Sequence, residues 1–241
     1  SHKAPSDMSS AVFHSPKVAA APQVRVTRKG YFRNFVLEDQ ETIGRIAAAV
    51  QEEMCLQNYN ATGCRSFHAM EDNKSLAPLL ELVVEQAREK ISFRTSSATA
   101  TLNYPTLVVA PPEGSRSNSW SSMPTHRDNV ETIEGGVCTF MCCIDELTED
   151  NGALLFWHDT KKLVLHPKNP NQGLPEVQTL IGKKNTVFVW DGRLLHQSLA
   201  NKTATARKTL VWTVSNRPLV LATEGQVAVH SAGPVGLFVA L

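Results

Sequence analysis

Residues 185–214 read NTVFVWDGRLLHQSLANKTATARKTLVWTV, and they say more about the fold than any other stretch of the chain. Their first apolar, β-branched run predicts a strand, and Asp191-Gly192 predicts the turn that ends it. A second short apolar run then leads to His196. The stretch therefore predicts two short strands joined by a tight turn, with a histidine on the second strand.

The polar segment 197–206 separates His196 from a further strand-like run, Lys208–Val214, which is rich in β-branched and aromatic residues. Arg207 stands at the start of that run. We expect the strands on either side of the polar segment to pair with each other. Such a pair would bring His196 and Arg207 into the same cavity.

A His-x-Asp pair, His126 and Asp128, lies 70 residues upstream of His196. In a strand, residues i and i+2 point to the same side, so both can face one metal ion while Arg127 points away. Two histidines and one carboxylate can take one face of an iron ion and leave the other positions open. Each residue alone is more simply a core histidine or a surface charge, but the combination on predicted strands favours a metal site.

Arg207 suits a different task, because its guanidinium is a planar, permanent cation that can bind a carboxylate through two hydrogen bonds. An iron site with a carboxylate clamp beside it indicates an oxygenase that uses an acidic cosubstrate.

The run from His196 to Arg207 resembles the distal motif of the phytanoyl-CoA dioxygenase family of Fe(II)- and 2-oxoglutarate-dependent oxygenases. That motif has a histidine ligand, Ser at +2, Asn at +5, Ser or Thr at +7, and at +11 an arginine that binds 2-oxoglutarate. The chain has His196, Ser198, Asn201, Thr203 and Arg207 at these positions.

The resemblance extends over about residues 30–216. Residues 150–154, Asp-Asn-Gly-Ala-Leu, and the Lys-Lys-Leu at 161–163 are similar to the family's Asn-Gly-Ala-Leu segment. Residues 31–40 look like its N-terminal strand and the start of its first helix. The family's usual Pro-Gly-Ser-His is here Trp157-His-Asp-Thr160, so nearby substrate contacts cannot be carried over.

The resemblance implies a mainly β fold with flanking helices, built on a double-stranded β-helix (a jelly roll, cupin-like) core. It implies three iron ligands, His126, Asp128 and His196. It also implies a 2-oxoglutarate site formed by Arg207, helped by Ser198 and Thr209. Tyr104, on the predicted strand before the polar segment 111–124, could donate its hydroxyl to 2-oxoglutarate as well. Because Asp128 is present, the halogenase variants that lack this carboxylate are not indicated.

The implied reaction consumes 2-oxoglutarate and O2, releases succinate and CO2, and hydroxylates an unactivated C–H bond of a small-molecule or acyl-type substrate. Desaturation or ring formation would use the same site. One alternative is a prolyl-hydroxylase-like protein hydroxylase; those enzymes usually bind 2-oxoglutarate with a lysine, for which Lys208 is the candidate. A second alternative is a non-catalytic jelly-roll binding module.

Composition adds limits on partners. The formal net charge is +1, and no basic, aromatic-interleaved stripe favours nucleic acid. No apolar segment approaches the ~20 residues that a membrane span needs. We expect a monomer or homodimer. Asn201-Lys-Thr203 matches a glycosylation sequon, but we interpret Asn201 as the asparagine of the distal motif.

Five cysteines show no disulfide-framework spacing, and Cys142 and Cys143 fall in an apolar run where buried thiols are expected. This favours a reducing, cytoplasmic location over secretion. A targeting peptide removed from the mature protein would leave no trace in the sequence. The other three cysteines are Cys55, Cys64 and Cys138.

The predicted organisation is an N-terminal arm, 1–22, followed by one domain, 23–241. That domain has a helical buttress at about 39–92 and a β-helix core at about 97–216. The polar segment 111–124, which includes Trp120, is a candidate lid. The apolar end, 236–241, is expected to cover a sheet edge or to meet a partner.

Two helices are predicted in the buttress. Asp39 can cap the first, which is expected to run through Glu52. Its predicted apolar face is Ile43, Ile46, Ala47 and Val50. The second helix, at roughly 76–91, has an apolar stripe of Leu79, Leu80, Val83, Val84 and Ala87, with Glu85 and Lys90 on a solvated face.

Overall fold

The computed structural model describes residues 32–56, 66–70, 72–93, 101–114, 122–128, 137–157 and 177–215. The described residues form two α-helices and ten β-strands. In chain order these are β1 Phe32–Val36, α1 Gln40–Leu56, β2 Ser66–Ala69, α2 Leu76–Ile91, β3 Thr101–Ala110, β4 Met123–His126, β5 Val137–Cys143, β6 Leu154–Trp157, β7 Val177–Leu180, β8 Thr186–Asp191, β9 His196–Ser198 and β10 Arg207–Ser215.

The strands form two antiparallel sheets. A six-stranded sheet has the order β1-β8-β5-β10-β3-β2, and a four-stranded sheet has the order β4-β9-β6-β7. From β3 onward the chain passes repeatedly from one sheet to the other, so that neighbours in sequence mostly lie in opposite sheets. This is the double-stranded β-helix, and the prediction of a mainly β jelly-roll fold is confirmed.

Side-chain alternation along the strands separates two cores, because successive residues of a strand point to opposite faces. In β5, for example, Phe140 and Cys142 pack with the helices, whereas Met141 and Cys143 pack against the four-stranded sheet. The six-stranded sheet is therefore covered on both faces, by the helices on one and by the second sheet on the other.

The first helix begins where it was predicted, because the Asp39 carboxylate accepts hydrogen bonds from the backbone N–H groups of Glu41 and Thr42. It continues to Leu56, one turn beyond the predicted end. The prediction of Ala47 on the buried face is wrong, since Ala47 is exposed and Ala49 is buried instead. The buried stripe is Thr42, Ile46, Ala49, Val50 and Glu53.

The second helix is confirmed, and all five residues of its predicted apolar stripe are buried. Glu85 and Lys90 are exposed as expected. Lys90 forms an ion pair of 2.7 Å with Glu38, just before α1. One short strand that was not predicted, β2, lies between the helices and pairs with β3.

The strands that carry His196 and Arg207 do not pair with each other, contrary to expectation. β9 pairs with β4 and β6, whereas β10 pairs with β3 and β5. The intervening segment carries the chain from one sheet to the other. The two side chains still meet, because each points into the space between the sheets.

Several predicted features lie outside the described residues: the arm 1–22, Cys64, Trp120, residues 158–160 and the apolar end 236–241. Cys138, Cys142 and Cys143 are buried, whereas Cys55 is exposed. Burial raises the pKa of the Cys143 thiol to about 12, so it is uncharged at neutral pH. In the part of the chain that the structure describes, no helix is long and apolar enough to cross a membrane.

Candidate active site

His126, Asp128 and His196 converge at one end of the space between the sheets. Oδ1 of Asp128 lies 3.2 Å from Nε2 of His196 and 3.6 Å from Nε2 of His126. One donor atom from each of the three residues lies within 4.8 Å of the others, and all three side chains are buried. Two imidazole nitrogens and one carboxylate oxygen are the donor set of a non-haem iron site, so the residues fit an iron ion.

Strand pairing sets the positions of the two histidines. His126 ends β4 directly opposite His196, the first residue of β9. Asp128 lies two residues beyond the end of β4, and not within the strand as predicted, in the bend that follows. The expected orientation nevertheless holds. His126 and Asp128 point inward, while Nε of Arg127 donates a hydrogen bond of 2.8 Å to the backbone carbonyl of Arg193.

His196 is held by a contact at one edge of its ring and by another on its face. Its Nδ1 lies 3.1 Å from the carbonyl oxygen of Leu194, which can only accept a hydrogen bond. Nδ1 therefore carries a proton, and Nε2, the ring nitrogen next to Asp128, is the one that can bind a metal ion once it has lost its proton. The ring of Phe156 stacks on the imidazole, with centroids 5.2 Å apart and planes 13° apart.

Asp128 has a partner for each oxygen. While Oδ1 faces the histidines, Oδ2 accepts a hydrogen bond of 2.8 Å from Nε1 of Trp190. Burial alone would raise the pKa of Asp128, but the charge and hydrogen bonds of His196 and His126 outweigh it and hold the pKa well below its usual range. The carboxylate is thus ionised, as a metal ligand must be.

The same pair of residues affects His196 in the opposite sense. Burial disfavours the imidazolium, but the Asp128 carboxylate outweighs burial and raises the pKa of His196. A cation at this position is therefore stabilised by the carboxylate, which suits the site to a metal ion that replaces the proton.

A cavity that opens to solvent connects the triad with Arg207. Its polar lining consists of the triad, Ser198, Arg207 and Thr209, together with the indole of Trp190. The remaining lining residues are apolar: Val108, Met123, Met141, Leu154 and Val211. The structure therefore brings the predicted ligands and the predicted clamp to one cavity.

Arg207 is only 2 % exposed. Its guanidinium donates hydrogen bonds to the backbone carbonyls of Asn151 and Gly152, at 3.2 and 3.4 Å, and to Oγ1 of Thr209 at 3.2 Å. Burial lowers the pKa of Arg207 to about 10, so the group is still a cation at neutral pH. No carboxylate among the described residues forms an ion pair with it. A buried cation without a paired anion is costly, which suits a site for an anionic ligand.

The Asn151-Gly152 segment packs directly on the distal motif. Gly152 has φ +100°, and a Cβ there would lie 2.9 Å from the backbone oxygen of Leu199 and 3.4 Å from Nη2 of Arg207. Only glycine therefore fits this position without strain. Residues 150–154 and the distal motif, which both resemble segments of the same family, are therefore in direct contact in the structure.

Asn201 shapes the segment between His196 and Arg207. Its amide donates to the backbone carbonyls of Ala110 and Thr205, and its Oδ1 accepts hydrogen bonds from the N–H and hydroxyl of Thr203. The side chain is buried, which fits a structural role for the asparagine and leaves no room for a glycan.

The structure places the other residues that were predicted to bind 2-oxoglutarate in different positions. Ser198 and Thr209 both line the cavity. Ser198 Oγ lies 3.4 Å from the carbonyl of Gly152, beside the clamp. Tyr104 lies in β3, but its side chain is outside the described part of the chain. Lys208 points elsewhere and forms an ion pair of 3.3 Å with Asp145.

Sequence reasoning missed Trp190 and Phe156, which hold Asp128 and His196 in place. Trp190 was treated only as part of an apolar strand. The available signal was chemical, since a buried tryptophan usually finds an acceptor for its indole N–H. Phe156 offered no such signal.

Comparison with known proteins agrees with this geometry. The family model described as phytanoyl-CoA dioxygenase matches residues 32–209. The sequence has no significant match among curated proteins.

Solved structures share the fold. AviO1 from Streptomyces viridochromogenes Tue57 is 20% identical over 79% of this chain and 92% of its own, with a TM-score of 0.57. SnoK, a non-heme alpha ketoglutarate dependent carbocyclase from nogalamycin biosynthesis, is 14% identical over 77% and 79%, with a TM-score of 0.56. HygX from Streptomyces hygroscopicus, solved with nickel and 2-oxoglutarate bound, is 8% identical over 77% and 82%, also with a TM-score of 0.56.

Proposed function

The chain belongs to the phytanoyl-CoA dioxygenase family, and from this premise we propose that it hydroxylates an unactivated C–H bond of a small-molecule or acyl-type substrate. The broader assignment, an enzyme of the oxygenase type that depends on iron and 2-oxoglutarate, follows from the family and the triad. The observation that carries the proposal is the placement of His126, Asp128, His196 and the buried cation Arg207 in one cavity.

Each polar group of the cavity has a role in this proposal. His126, Asp128 and His196 would hold Fe(II). Arg207 would bind the carboxylate of 2-oxoglutarate that lies away from the metal, with Ser198 and Thr209 beside it. When bound, iron and 2-oxoglutarate would activate O2 for the oxidation of the substrate, and 2-oxoglutarate would be converted to succinate and CO2.

The apolar part of the lining supports C–H chemistry. The side chains of Val108, Met141, Leu154 and Val211 offer no hydrogen bonds, and such walls would help to keep water from the reacting region. Such walls select an aliphatic or acyl segment of the substrate by shape and apolar contact. A partly enclosed, mostly apolar cavity of this kind suits a small molecule or an acyl chain better than a folded protein domain.

The same site suits more than one reaction outcome. Because SnoK is described as a carbocyclase, ring formation is the second outcome to test. Both outcomes begin with hydrogen removal from a C–H bond, and they differ in how the substrate is held.

The two alternatives are less well supported. A protein hydroxylase with a lysine clamp would need Lys208 in the cavity, but Lys208 pairs with Asp145 instead. A non-catalytic module has no need of a buried cation, without a carboxylate partner among the described residues, beside three buried donors.

We would test the proposal by anaerobic titration of the apo protein with Fe(II) and then 2-oxoglutarate. The expected result is the visible metal-to-ligand charge-transfer band of the chelate, which Asp128→Ala abolishes. Asp150→Ala is the matched control, because Asp150 is an exposed carboxylate next to Asn151 and should leave the band unchanged. A folded wild-type protein that shows no band would overturn the proposal in favour of the binding module.

A second step tests the reaction. With O2 admitted, the loaded wild-type protein should form succinate from 2-oxoglutarate, faster in the presence of a substrate. Small acyl compounds offered as substrates should gain one oxygen atom by mass spectrometry. A product that has lost two hydrogen atoms and gained no oxygen would replace hydroxylation by ring formation or desaturation.

We further propose that the chain works in a reducing compartment as a monomer or homodimer, without a nucleic-acid partner. The buried cysteines Cys138, Cys142 and Cys143 and the small net charge support this.

A further inference from the structure

We infer that Trp190 is a positioning residue: its indole N–H holds the second oxygen of Asp128 so that the carboxylate offers the metal a single oxygen. This rests on the proposed function to the extent that the triad binds a metal. The hydrogen bond is 2.8 Å long and joins two buried side chains that are 62 residues apart in sequence.

The geometry assigns the two oxygens of Asp128 different tasks. Oδ1 faces Nε2 of both histidines, whereas Oδ2 faces the indole. With the indole N–H bound to it, Oδ2 is directed away from the point where the three donor atoms converge. A carboxylate held in this way enters the metal site through Oδ1 alone.

This restriction matters for the chemistry of the site. Two imidazoles and one carboxylate oxygen leave a whole face of the ion open for other ligands. A carboxylate that bound through both oxygens would occupy part of that face. The proposed reaction needs the face for 2-oxoglutarate and O2, so fixing Oδ2 keeps the site open.

Trp190 is well placed to act as a rigid support. It is 2 % exposed, lies on β8 between β1 and β5 of the six-stranded sheet, and its ring meets His196 and Phe156 edge to face. Because the strand and the neighbouring rings fix the indole, its N–H has a defined direction. Hydrogen bonds to metal ligands of this kind typically change metal affinity by about 10- to 100-fold when removed.

The chain provides a matched control for this role. Trp212, on β10 of the same sheet, is fully buried on the opposite face, and its Nε1 has no hydrogen-bond partner among the described residues. Trp212→Phe and Trp190→Phe remove the same ring atoms from the interior. Only Trp190→Phe also removes a hydrogen bond to Asp128.

The experiment compares the two variants with wild type under anaerobic conditions. Calorimetric titration with Fe(II) gives the affinity, and addition of 2-oxoglutarate gives the charge-transfer band. We expect Trp190→Phe to weaken Fe(II) binding about 10- to 100-fold and to change the position or intensity of the band. Trp212→Phe should match wild type in both.

A further variant guards against a folding defect. Trp190 replaced by β-(3-benzothienyl)alanine keeps the shape of the indole and lacks only the N–H donor. It should reproduce the weaker affinity and the altered band in a protein with wild-type circular dichroism. If this variant binds Fe(II) as tightly as wild type, with an unchanged band, Trp190 is only a core residue. If wild type itself does not bind Fe(II), the proposed function fails as well.

Discussion

The two faces of the six-stranded sheet are built from the same strands and are both covered by other elements, yet they differ in chemistry. The face toward the helices is apolar, with residues such as Phe140, Val189 and Leu210. The face toward the second sheet includes Arg207, Thr209 and the indole of Trp190 that bonds Asp128. One face is built for packing, and the other contains the polar groups of the proposed reaction.

The difference shows where the molecule accepts a cost in stability. Burying apolar side chains stabilises the fold, whereas burying the Arg207 cation is unfavourable, since its hydrogen bonds within the described residues all go to neutral oxygens. The jelly roll allows both on one strand, because alternate residues of β10 face opposite sides. Stability and function can therefore be separated by mutation along a single strand.

The largest effect on stability is expected on the helix-facing side. Leu210 is fully buried in the core between the sheet and the helices. Leu210→Ala should lower the free energy of unfolding by about 2–5 kcal/mol, because it removes buried methyl groups and leaves a cavity. Urea denaturation measures the change. The affinity of the folded protein for 2-oxoglutarate, loaded with Fe(II), should not change, since Leu210 faces away from the cavity. A lost affinity in a folded sample would show that the two faces are coupled.

The next effect is expected on the cavity side, where a substitution should weaken 2-oxoglutarate binding without lowering stability. Arg207→Met removes the cation and keeps most of the side-chain volume. We expect 2-oxoglutarate binding to the Fe(II)-loaded protein to weaken about 100-fold, since charge-assisted hydrogen bonds contribute up to roughly 3 kcal/mol. The free energy of unfolding should be unchanged or higher, because a buried charge without an anionic partner is removed.

Lys208→Met is the control for Arg207→Met. Lys208 is the neighbouring cation and pairs with Asp145 outside the cavity. Its loss should leave 2-oxoglutarate affinity unchanged. If Lys208→Met weakened binding and Arg207→Met did not, the lysine-clamped protein hydroxylase would become the better interpretation.

The cavity face was only partly predictable from the sequence. His196, Ser198, Asn201 and Arg207 were found because their spacing lies within twelve consecutive residues. The hydrogen bond between Trp190 and Asp128 joins distant segments, and no local pattern indicates it. The paths of β9 and β10 into opposite sheets likewise depend on long-range pairing, which periodicity does not encode.

The helix-facing side was predicted more completely where the apolar pattern was strong. The stripe of α2 has large aliphatic residues at helical spacing, so its buried face was unambiguous. In α1 the buried stripe includes Thr42 and Glu53, and the alanines at 47–49 give little preference for either side. A weak apolar contrast around the helix is the physical reason for the error at Ala47.

The smallest of the three effects tests how closely the Asn151-Gly152 segment must approach the clamp. Gly152→Ala places a methyl group 2.9 Å from the Leu199 oxygen at a positive φ. We expect a loss of about 1–3 kcal/mol in the free energy of unfolding, from backbone strain and the forced shift. Because Nη2 of Arg207 lies 3.4 Å from the same methyl position, 2-oxoglutarate affinity should fall as well.

Gly114→Ala separates these two causes. Gly114 also has a positive φ, +78°, but a Cβ there would have no atom of the described residues within 4 Å. It should therefore show the backbone strain alone, with a smaller loss of stability and an unchanged 2-oxoglutarate affinity. Equal losses in the two variants would mean that the close approach of Gly152 to Leu199 and Arg207 is relieved by a small shift. The clamp would then tolerate movement of the segment, and its position would be set by β10 alone.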